Sequence, residues 1–156
     1  MSTHLLRHAV ATVAYRGGKT LRGAPAEFSS FRPKDGSRSA GEILAHVCDL
    51  YDWALSLAEG AQKWKNTTPQ KWDQDTARFF EALGKFDAAL AARELPADLV
   101  QRLFQGPVAD SLTHFGQIAM LRRLADAPVA AENYFVADIA AGRVGAAQTA
   151  PRKEFA

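Results

Sequence analysis

Cysteine, long apolar runs and an excess of one charge are the features that this sequence lacks. It has a single cysteine, Cys48, so no disulfide can form within the chain, and we expect a reducing, cytoplasmic location. No apolar run approaches the roughly 18 to 20 residues of a membrane span, which predicts no membrane partner. The formal net charge is only +2 and the basic residues are interspersed with acids, which argues against a nucleic-acid partner.

Length and composition are those of one globular unit. The chain has 156 residues, of which 47% are hydrophobic and 23% charged, so we predict a single domain over residues 1–156. The start of the chain, "MSTHLLRHAV", is interrupted by Arg7 and His8 and is interpreted as a helix rather than a signal peptide. No period-two alternation is long enough to predict a sheet, which makes the fold all-α.

Apolar residues recur at helical spacing in four main segments. The first helix is expected to end or kink at "RGGK", residues 16–19, because adjacent glycines weaken a helix. Ser39 and Glu42 have the spacing of a capping box, so the second helix should begin there and run to about Ala58.

Prolines bound the later helices. The third helix lies between Pro69 and Pro96, with Phe79, Leu83, Phe86 and Leu90 on its apolar face, and a short helical turn is predicted over residues 96–105. The fourth helix opens at Pro107 and stops before Pro128. Four helices with short connections predict an antiparallel four-helix bundle with a short C-terminal extension of helix and coil.

Three polar residues fall on the inward faces of these helices. His46 lies within the apolar arc of the second helix, and Asp110 and His114 share a face of the fourth. A buried carboxylate needs a cation or several hydrogen-bond donors, and imidazole and carboxylate ligands one turn apart can reach one divalent ion. Gln117, one turn beyond His114, is placed to hydrogen-bond a ligand or a bound water.

Two ordinary interpretations stay open on spacing alone. Asp110 would be stabilised by the helix N-terminus that follows Pro107, and His46 would be a hydrogen-bonded core histidine. Cys48 points elsewhere on its helix and is interpreted as a core thiol. Trp53 is a candidate pocket wall, with a core aromatic as the alternative. His4 and His8 have a metal-binding spacing but lie near a terminus, where surface or packing roles are the usual ones, and His8 could line the pocket.

The segments "EILAHVCDLYDWAL" and "DSLTHFGQIAMLRRLADAPV" resemble the two signature regions of the DinB-like, YfiT-like superfamily, and the resemblance extends to "ENYF" at 132–135. The superfamily implies a four-helix bundle that binds a divalent metal through one histidine on the second helix and an H-x-x-x-H pair on a later one. His46 and His114 match the first and last ligands, whereas Asp110 stands where the family has histidine. The resemblance therefore implies a metal site of His46, Asp110 and His114.

The same resemblance implies the function classes. We expect a metal-dependent enzyme, either a hydrolase or a transferase that conjugates a low-molecular-weight thiol to a small electrophile, with zinc, nickel, manganese or iron as the ion. The alternative is a non-catalytic metal-binding or stress-response binding module. In an enzyme, the ion would act as a Lewis acid on the nucleophile, with Gln117 orienting the bound species.

A second apolar stripe on the fourth helix predicts a homodimer. Val108, Leu112, Phe115 and Ala119 lie away from His114, and a helix that is apolar on two sides needs two partners. The alternative is that residues 96–105 or the C-terminal tail cover this stripe.

Overall fold

The computed structural model describes residues 1–155, and the regular secondary structure in that range consists of helices. It contains no β-strand there, only one isolated bridge between Glu132 and Glu154, so the all-α prediction is confirmed. Two short 3-10 helices occupy Ala26–Ser30 and Tyr134–Val136. The α-helices are α1 (Thr3–Leu21), α2 (Ala40–Ala58), α3 (Trp72–Ala92), α4 (Ala97–Leu103) and α5 (Ala109–Leu124).

Helix α2 has the bounds that its capping signal predicts. The Ser39 hydroxyl accepts a hydrogen bond from the Glu42 backbone N–H at 3.2 Å, and the Glu42 carboxylate accepts one from the Ser39 N–H at 2.6 Å. This reciprocal pair satisfies two backbone donors that a helix start otherwise leaves open. The position of His46 along α2 follows from this fixed start.

The four longest helices pack against one another. Helix α1 makes extensive contact with α3 and α5, and α2 makes extensive contact with the same two helices. The predicted apolar face of α3 is confirmed, because Phe79, Leu83, Phe86 and Leu90 are at most 2% exposed. Tyr51 of α2 is fully buried, and its hydroxyl lies 2.7 Å from that of Ser111 on α5. This polar contact within the core holds α2 against α5.

The predicted end of the first helix at residues 16–19 is wrong, whereas the kink, given as the alternative, stays a prediction. Helix α1 continues through Gly17 and Gly18 to Leu21. A Cβ atom added at Gly17 would lie 2.6 Å from the Phe115 ring, so the glycine makes room for that ring. The close approach of α1 and α5 explains the glycine better than a helix break does.

Pro107 does not open a new helix, which corrects the predicted start. Helix α4 runs into a π-helical segment, Phe104–Val108, which leads directly into α5. Proline cannot donate to the carbonyl four residues earlier, and its ring clashes with that carbonyl in an α-helix. A wider π turn accommodates both consequences, so the chain stays helical from residue 97 to residue 124.

The apolar stripe that predicted a homodimer is covered in part within the chain, since Leu112 and Ala119 are only half-buried. Val108 is fully buried and Phe115 is 3% exposed, with the Phe115 ring 5.1 Å from that of Phe79 and against Gly17. Residues of α1 and α3 therefore cover Phe115, rather than a second subunit, residues 96–105 or the tail. Val108 and Phe115 are therefore not available to a dimer interface, and the homodimer stays a prediction.

The C-terminal extension returns to α1 through a buried polar cluster. Glu132 accepts hydrogen bonds from the Tyr15 hydroxyl at 2.6 Å and from the Lys19 ammonium at 2.7 Å, and Lys19 also pairs with Glu154. Lys19 and Glu132 are both buried, so their charges are compensated by each other. Within residues 1–155, no helix is long and apolar enough to cross a membrane.

Candidate metal centre

His46, Asp110 and His114 come together where α2 faces α5. One potential ligand atom from each lies within 4.8 Å of the other two. The Oδ2 atom of Asp110 is 3.6 Å from Nε2 of His46 and 3.4 Å from Nε2 of His114. The two imidazole rings stand nearly perpendicular, with centroids 4.8 Å apart. Such a group of two nitrogens and one carboxylate oxygen could hold a metal ion.

The cluster lies at the rim of the helix interface, not in the interior that its sequence positions predict. The side chains of His114, His46 and Asp110 are 11%, 22% and 45% exposed. Val47 and Ile118, which neighbour these positions in the sequence, are fully buried. The three ligand candidates therefore lie between the apolar core and the solvent. A small molecule in solution can approach them from the solvent side.

The structure removes one ordinary explanation of Asp110. A carboxylate in the first turn of a helix is stabilised by free backbone N–H groups. The turn before Asp110 is already helical, however, and the N–H of Ala109 is bonded to the carbonyls of Phe104 and Gly106. Asp110 therefore has no open helix end beside it, and the two imidazoles are its charged or polar partners in this cluster.

Gln117 orients the ring of His114 and selects its tautomer. The Nδ1 atom of His114 lies 2.7 Å from the amide oxygen of Gln117, so Nδ1 carries the proton that is donated. In the neutral ring, Nε2 then has a lone pair, and this lone pair faces the Asp110 carboxylate at 3.4 Å. A cation between these two groups would interact with both of them.

The distances suit one small divalent ion. Nitrogen and oxygen ligands lie about 2.0–2.2 Å from a tetrahedral zinc ion, which places ligand atoms roughly 3.3–3.6 Å apart. The two Asp110 distances, 3.4 and 3.6 Å, fall within or at the edge of that range. The three ligand atoms together span up to 4.8 Å, so the two imidazoles would have to move slightly closer to hold such an ion with Asp110.

Burial keeps His46 in its ligating form. Desolvation lowers the pKa of the His46 imidazole, and electrostatic interactions with His114 and Arg38 lower it further, against the opposing effect of Asp110. A lowered pKa favours the neutral ring, whose lone pair is what a metal ion binds.

The most direct neighbour that the sequence did not reveal is Trp64. Its ring packs edge-on to His46, with centroids 5.6 Å apart, and edge-on to Trp53 at 5.7 Å. Trp64 lies in the connection between α2 and α3, where no periodic pattern could place it. Trp53, the predicted pocket wall, is half-buried beside it and lines a cleft that contains Asp110.

A buried ionic cluster fixes the loop that carries Trp64. Asp49, 4% exposed, accepts hydrogen bonds from the Thr67 N–H, the Thr67 hydroxyl and the Arg78 guanidinium. Arg78 also pairs with Asp52 at 2.7 Å. The α2–α3 connection is thus tied to α2 one turn after His46, which holds Trp64 over the imidazole.

Three other candidates lie outside the centre. His4 and His8 are exposed on α1, and neither belongs to the cluster. Cys48 is fully buried, and its thiol donates to the carbonyl of Asp75, with burial raising the pKa of the thiol. Cys48 is thus a core thiol, as its helix position predicts.

Each of the three candidate ligands lines its own cleft. Asp110 lines the Trp53 cleft, about 370 Å³, with Trp53, Gln105 and Thr113. His46 lines the Thr67 cleft, about 330 Å³, with Arg38, Glu42 and Thr67. His114 and Gln117 line the Met120 cleft, about 540 Å³, between residues 33–43 and the second half of α5. A larger cleft, about 1150 Å³, lies between residues 24–32 and the start of α3 and includes none of the three ligand candidates.

Comparison of the chain with protein-family models, curated proteins and solved structures finds no match. The geometry of the centre is therefore the basis for the function proposed below.

Proposed function

We propose that this chain binds one divalent metal ion through His46, Asp110 and His114 and is a metal-dependent enzyme that acts on a small electrophile. The reaction is either hydrolysis or transfer of a low-molecular-weight thiol. The proposal includes an antiparallel four-helix bundle of the DinB-like type as its scaffold. The convergence of two imidazoles and one carboxylate at the solvent-facing rim of two helices carries the proposal.

An incomplete ligand set favours catalysis over a structural role. Structural zinc sites are closed by four protein ligands, whereas catalytic sites use three and keep a position for water or substrate. The cluster offers three ligands, and each of them lines a separate cleft. When bound, a divalent ion supplies Lewis acidity toward a water or thiol nucleophile. Zinc, nickel, manganese and iron all accept this donor set.

The residues around the ion have separate tasks in this proposal. Gln117 holds the His114 ring so that Nε2 points at the shared centre. Trp64 and Trp53 shield the His46 side from water, because their rings form a continuous edge-to-face wall. The open side lies along α5, where substrate would enter.

A non-catalytic metal-binding module is the second candidate, and one observation favours it. An enzyme commonly adds a general acid or base to the metal ligands. Both carboxylates of the Thr67 cleft are engaged, Glu42 by the Ser39 N–H and Arg32, and Asp49 by Thr67 and Arg78. Neither carboxylate is therefore free to act as a general acid or base, and any proton transfer would depend on the three metal ligands.

All three candidate ligands come from one chain, so the single chain is the unit that we propose to hold the site. The homodimer predicted from the sequence is a separate prediction, which sedimentation of the purified protein tests. A monomer at micromolar concentration would contradict the dimer and leave the metal site unaffected.

Elemental analysis of purified protein tests the metal site. We expect one divalent ion per chain, and we expect it to be lost in His46→Ala, Asp110→Ala and His114→Ala. His8→Ala is the matched control, because it removes an exposed imidazole outside the cluster. Unchanged stoichiometry in all three cluster variants would contradict the proposal.

Activity screening separates the two candidate functions. The metal-loaded wild type is assayed for ester and amide hydrolysis and for conjugation of thiols to small electrophiles. Turnover that disappears on chelation and returns with metal supports the enzyme. Stoichiometric metal without turnover in either screen would favour the binding module.

A further inference from the structure

The Met120 cleft has the most apolar wall of the three clefts at the centre. Five hydrophobic side chains line it, namely Pro33, Ile43, Met120, Leu121 and Leu124. Met120 and Leu124 are 51% and 56% exposed, although the rest of α5 packs its apolar residues inward. Its volume of about 540 Å³ is in the range of small-molecule sites.

One unpaired cation stands at this apolar wall. Arg38 lines both the Met120 cleft and the Thr67 cleft, so it stands on the same side of the centre as His46 and His114. Among residues 1–155, no hydrogen bond or ion pair is formed by its guanidinium. Glu42 lines the Thr67 cleft with it, but that carboxylate already accepts from the Ser39 N–H and lies 3.5 Å from Arg32.

The same cleft reaches one of the candidate metal ligands, His114. His114 and Gln117 form its inner end, and Met120, one turn further along α5, follows on the same wall. A molecule lying along α5 would therefore have one part against Met120 and Leu124 and another beside His114. Arg38, which presents a fork of N–H donors, would meet a carboxylate, sulfonate or phosphate group of that molecule.

We propose that the Met120 cleft binds a small organic anion, with its apolar body along Met120 and Leu124, its negative group on Arg38 and its reacting part at the His46–Asp110–His114 centre. This inference rests on the proposed function and assigns the substrate class: an amphiphilic monoanion rather than a neutral or cationic molecule. Charge complementarity to Arg38 and the exposed apolar wall are the two features that select it.

Three probes of equal chain length test this assignment: hexane-1-sulfonate, 1-hexanol and hexylammonium. Their binding to the metal-loaded full chain is followed by ligand-detected NMR titration. The sulfonate is chosen because it is a weak metal ligand, so its binding reports on the cleft. We expect hexane-1-sulfonate to bind more tightly than 1-hexanol and hexylammonium to bind most weakly.

Two variants separate the charge from the apolar wall. Arg38→Gln should weaken hexane-1-sulfonate about three- to tenfold and leave 1-hexanol unchanged, because one solvated ion pair is lost. Met120→Ser should weaken both probes, because it removes apolar contact. Arg123→Gln, an exposed arginine elsewhere on α5, and Leu5→Ser, an apolar residue 50% exposed on α1, are the matched controls.

The outcomes distinguish this inference from the proposed function. Equal binding of hexane-1-sulfonate and hexylammonium, or no effect of Arg38→Gln, would overturn the substrate class while the metal content stays intact. A wild type that discriminates the probes but contains no metal would overturn the proposed function and support the cleft. A third outcome is a wild type that is a dimer and binds no hexane-1-sulfonate, together with a Met120→Ser variant that is a monomer. This outcome would overturn the inference, because a second copy of the chain would then cover the cleft.

Discussion

The Nδ1 atom of His114 lies 2.7 Å from the amide oxygen of Gln117, one helical turn further along α5. This contact fixes which ring nitrogen is free to bind a metal. We expect Gln117→Ala to lower metal affinity by about 10- to 100-fold, as loss of a hydrogen bond to a ligating histidine commonly does. Gln117 is exposed, so the free energy of unfolding of the metal-free protein should change little.

Competition with a chromophoric chelator measures the affinity. Arg123→Ala, at another exposed position of α5, is the control and should leave metal affinity unchanged. Equal affinity in wild type and Gln117→Ala would show that the contact does not orient a ligand.

Gly17 and Gly84 should respond oppositely to the same substitution. A Cβ at Gly17 would meet the Phe115 ring at 2.6 Å, so Gly17→Ala should lower the free energy of unfolding by about 1–3 kcal/mol through overpacking. A Cβ at Gly84 in α3 meets no atom within 4 Å, so Gly84→Ala should raise it by about 0.5–1 kcal/mol through helix propensity. Urea unfolding measures both, and a shift of the same sign would contradict the packing argument.

Asp49 and Asp52 both pair with Arg78, but Asp49 is buried and Asp52 is exposed. Asparagine variants at these two positions therefore form a matched pair. Asp49 is buried and accepts from Thr67 as well as from Arg78, so Asp49→Asn should cost about 1–3 kcal/mol of stability. The Asp52 side chain is 53% exposed, and Asp52→Asn should cost at most about 1 kcal/mol.

Tryptophan fluorescence gives a second measurement on these two variants. Asp49→Asn should also loosen the connection that holds Trp64 against His46 and so increase quenching by acrylamide. Equal effects of the two variants on stability and quenching would show that burial does not govern this cluster.

Asp75 predicts a pH dependence of stability. Its side chain is 1% exposed, and the Oδ1 atom has no hydrogen-bond partner among the described residues. Burial raises the pKa of this carboxyl above its usual value. In the pH range between the ordinary and the raised pKa, the folded protein binds more protons than the unfolded one, so stability falls as pH rises.

The variant Asp75→Asn cannot ionise, so it should lack this contribution. The difference in unfolding free energy between Asp75→Asn and wild type should therefore increase as pH rises from about 4 through the raised pKa. Chemical unfolding at several pH values measures it. Asp73→Asn, exposed two residues earlier in α3, is the control, and a difference that falls with pH would reverse the assigned sign.

Local signals predicted much of the helical order and of the candidate site. The Ser39–Glu42 capping box depends on residues three apart, and such short-range chemistry can be identified without the fold. The shared face of Asp110 and His114 follows from helical spacing in the same way. Their approach to His46 required only that α2 and α5 pack together.

Features that depend on distant partners could not be predicted. From the sequence alone, Gly17 is interpreted as a helix breaker. The reason for the glycine is the Phe115 ring, which lies nearly a hundred residues away in the sequence and occupies the space of a Cβ atom. From the sequence alone, Trp64 is a loop residue with no predicted role. Its position beside His46 depends on the contacts of Asp49 with Thr67 and Arg78, which fix the path of the loop. Pro107 reads as a helix start because a π turn has no sequence signature of its own.

The polar cluster of Tyr15, Lys19 and Glu132 joins parts of the chain that are separated by 117 and 113 residues. Contacts of such separation close a very long loop, and they form late because the entropy of closure is lost before the contact is gained. During synthesis on the ribosome, Lys19 and Tyr15 emerge more than a hundred residues before their partner Glu132. Both side chains therefore stay hydrated until the segment that carries Glu132 arrives, which makes docking of that segment the step that buries them.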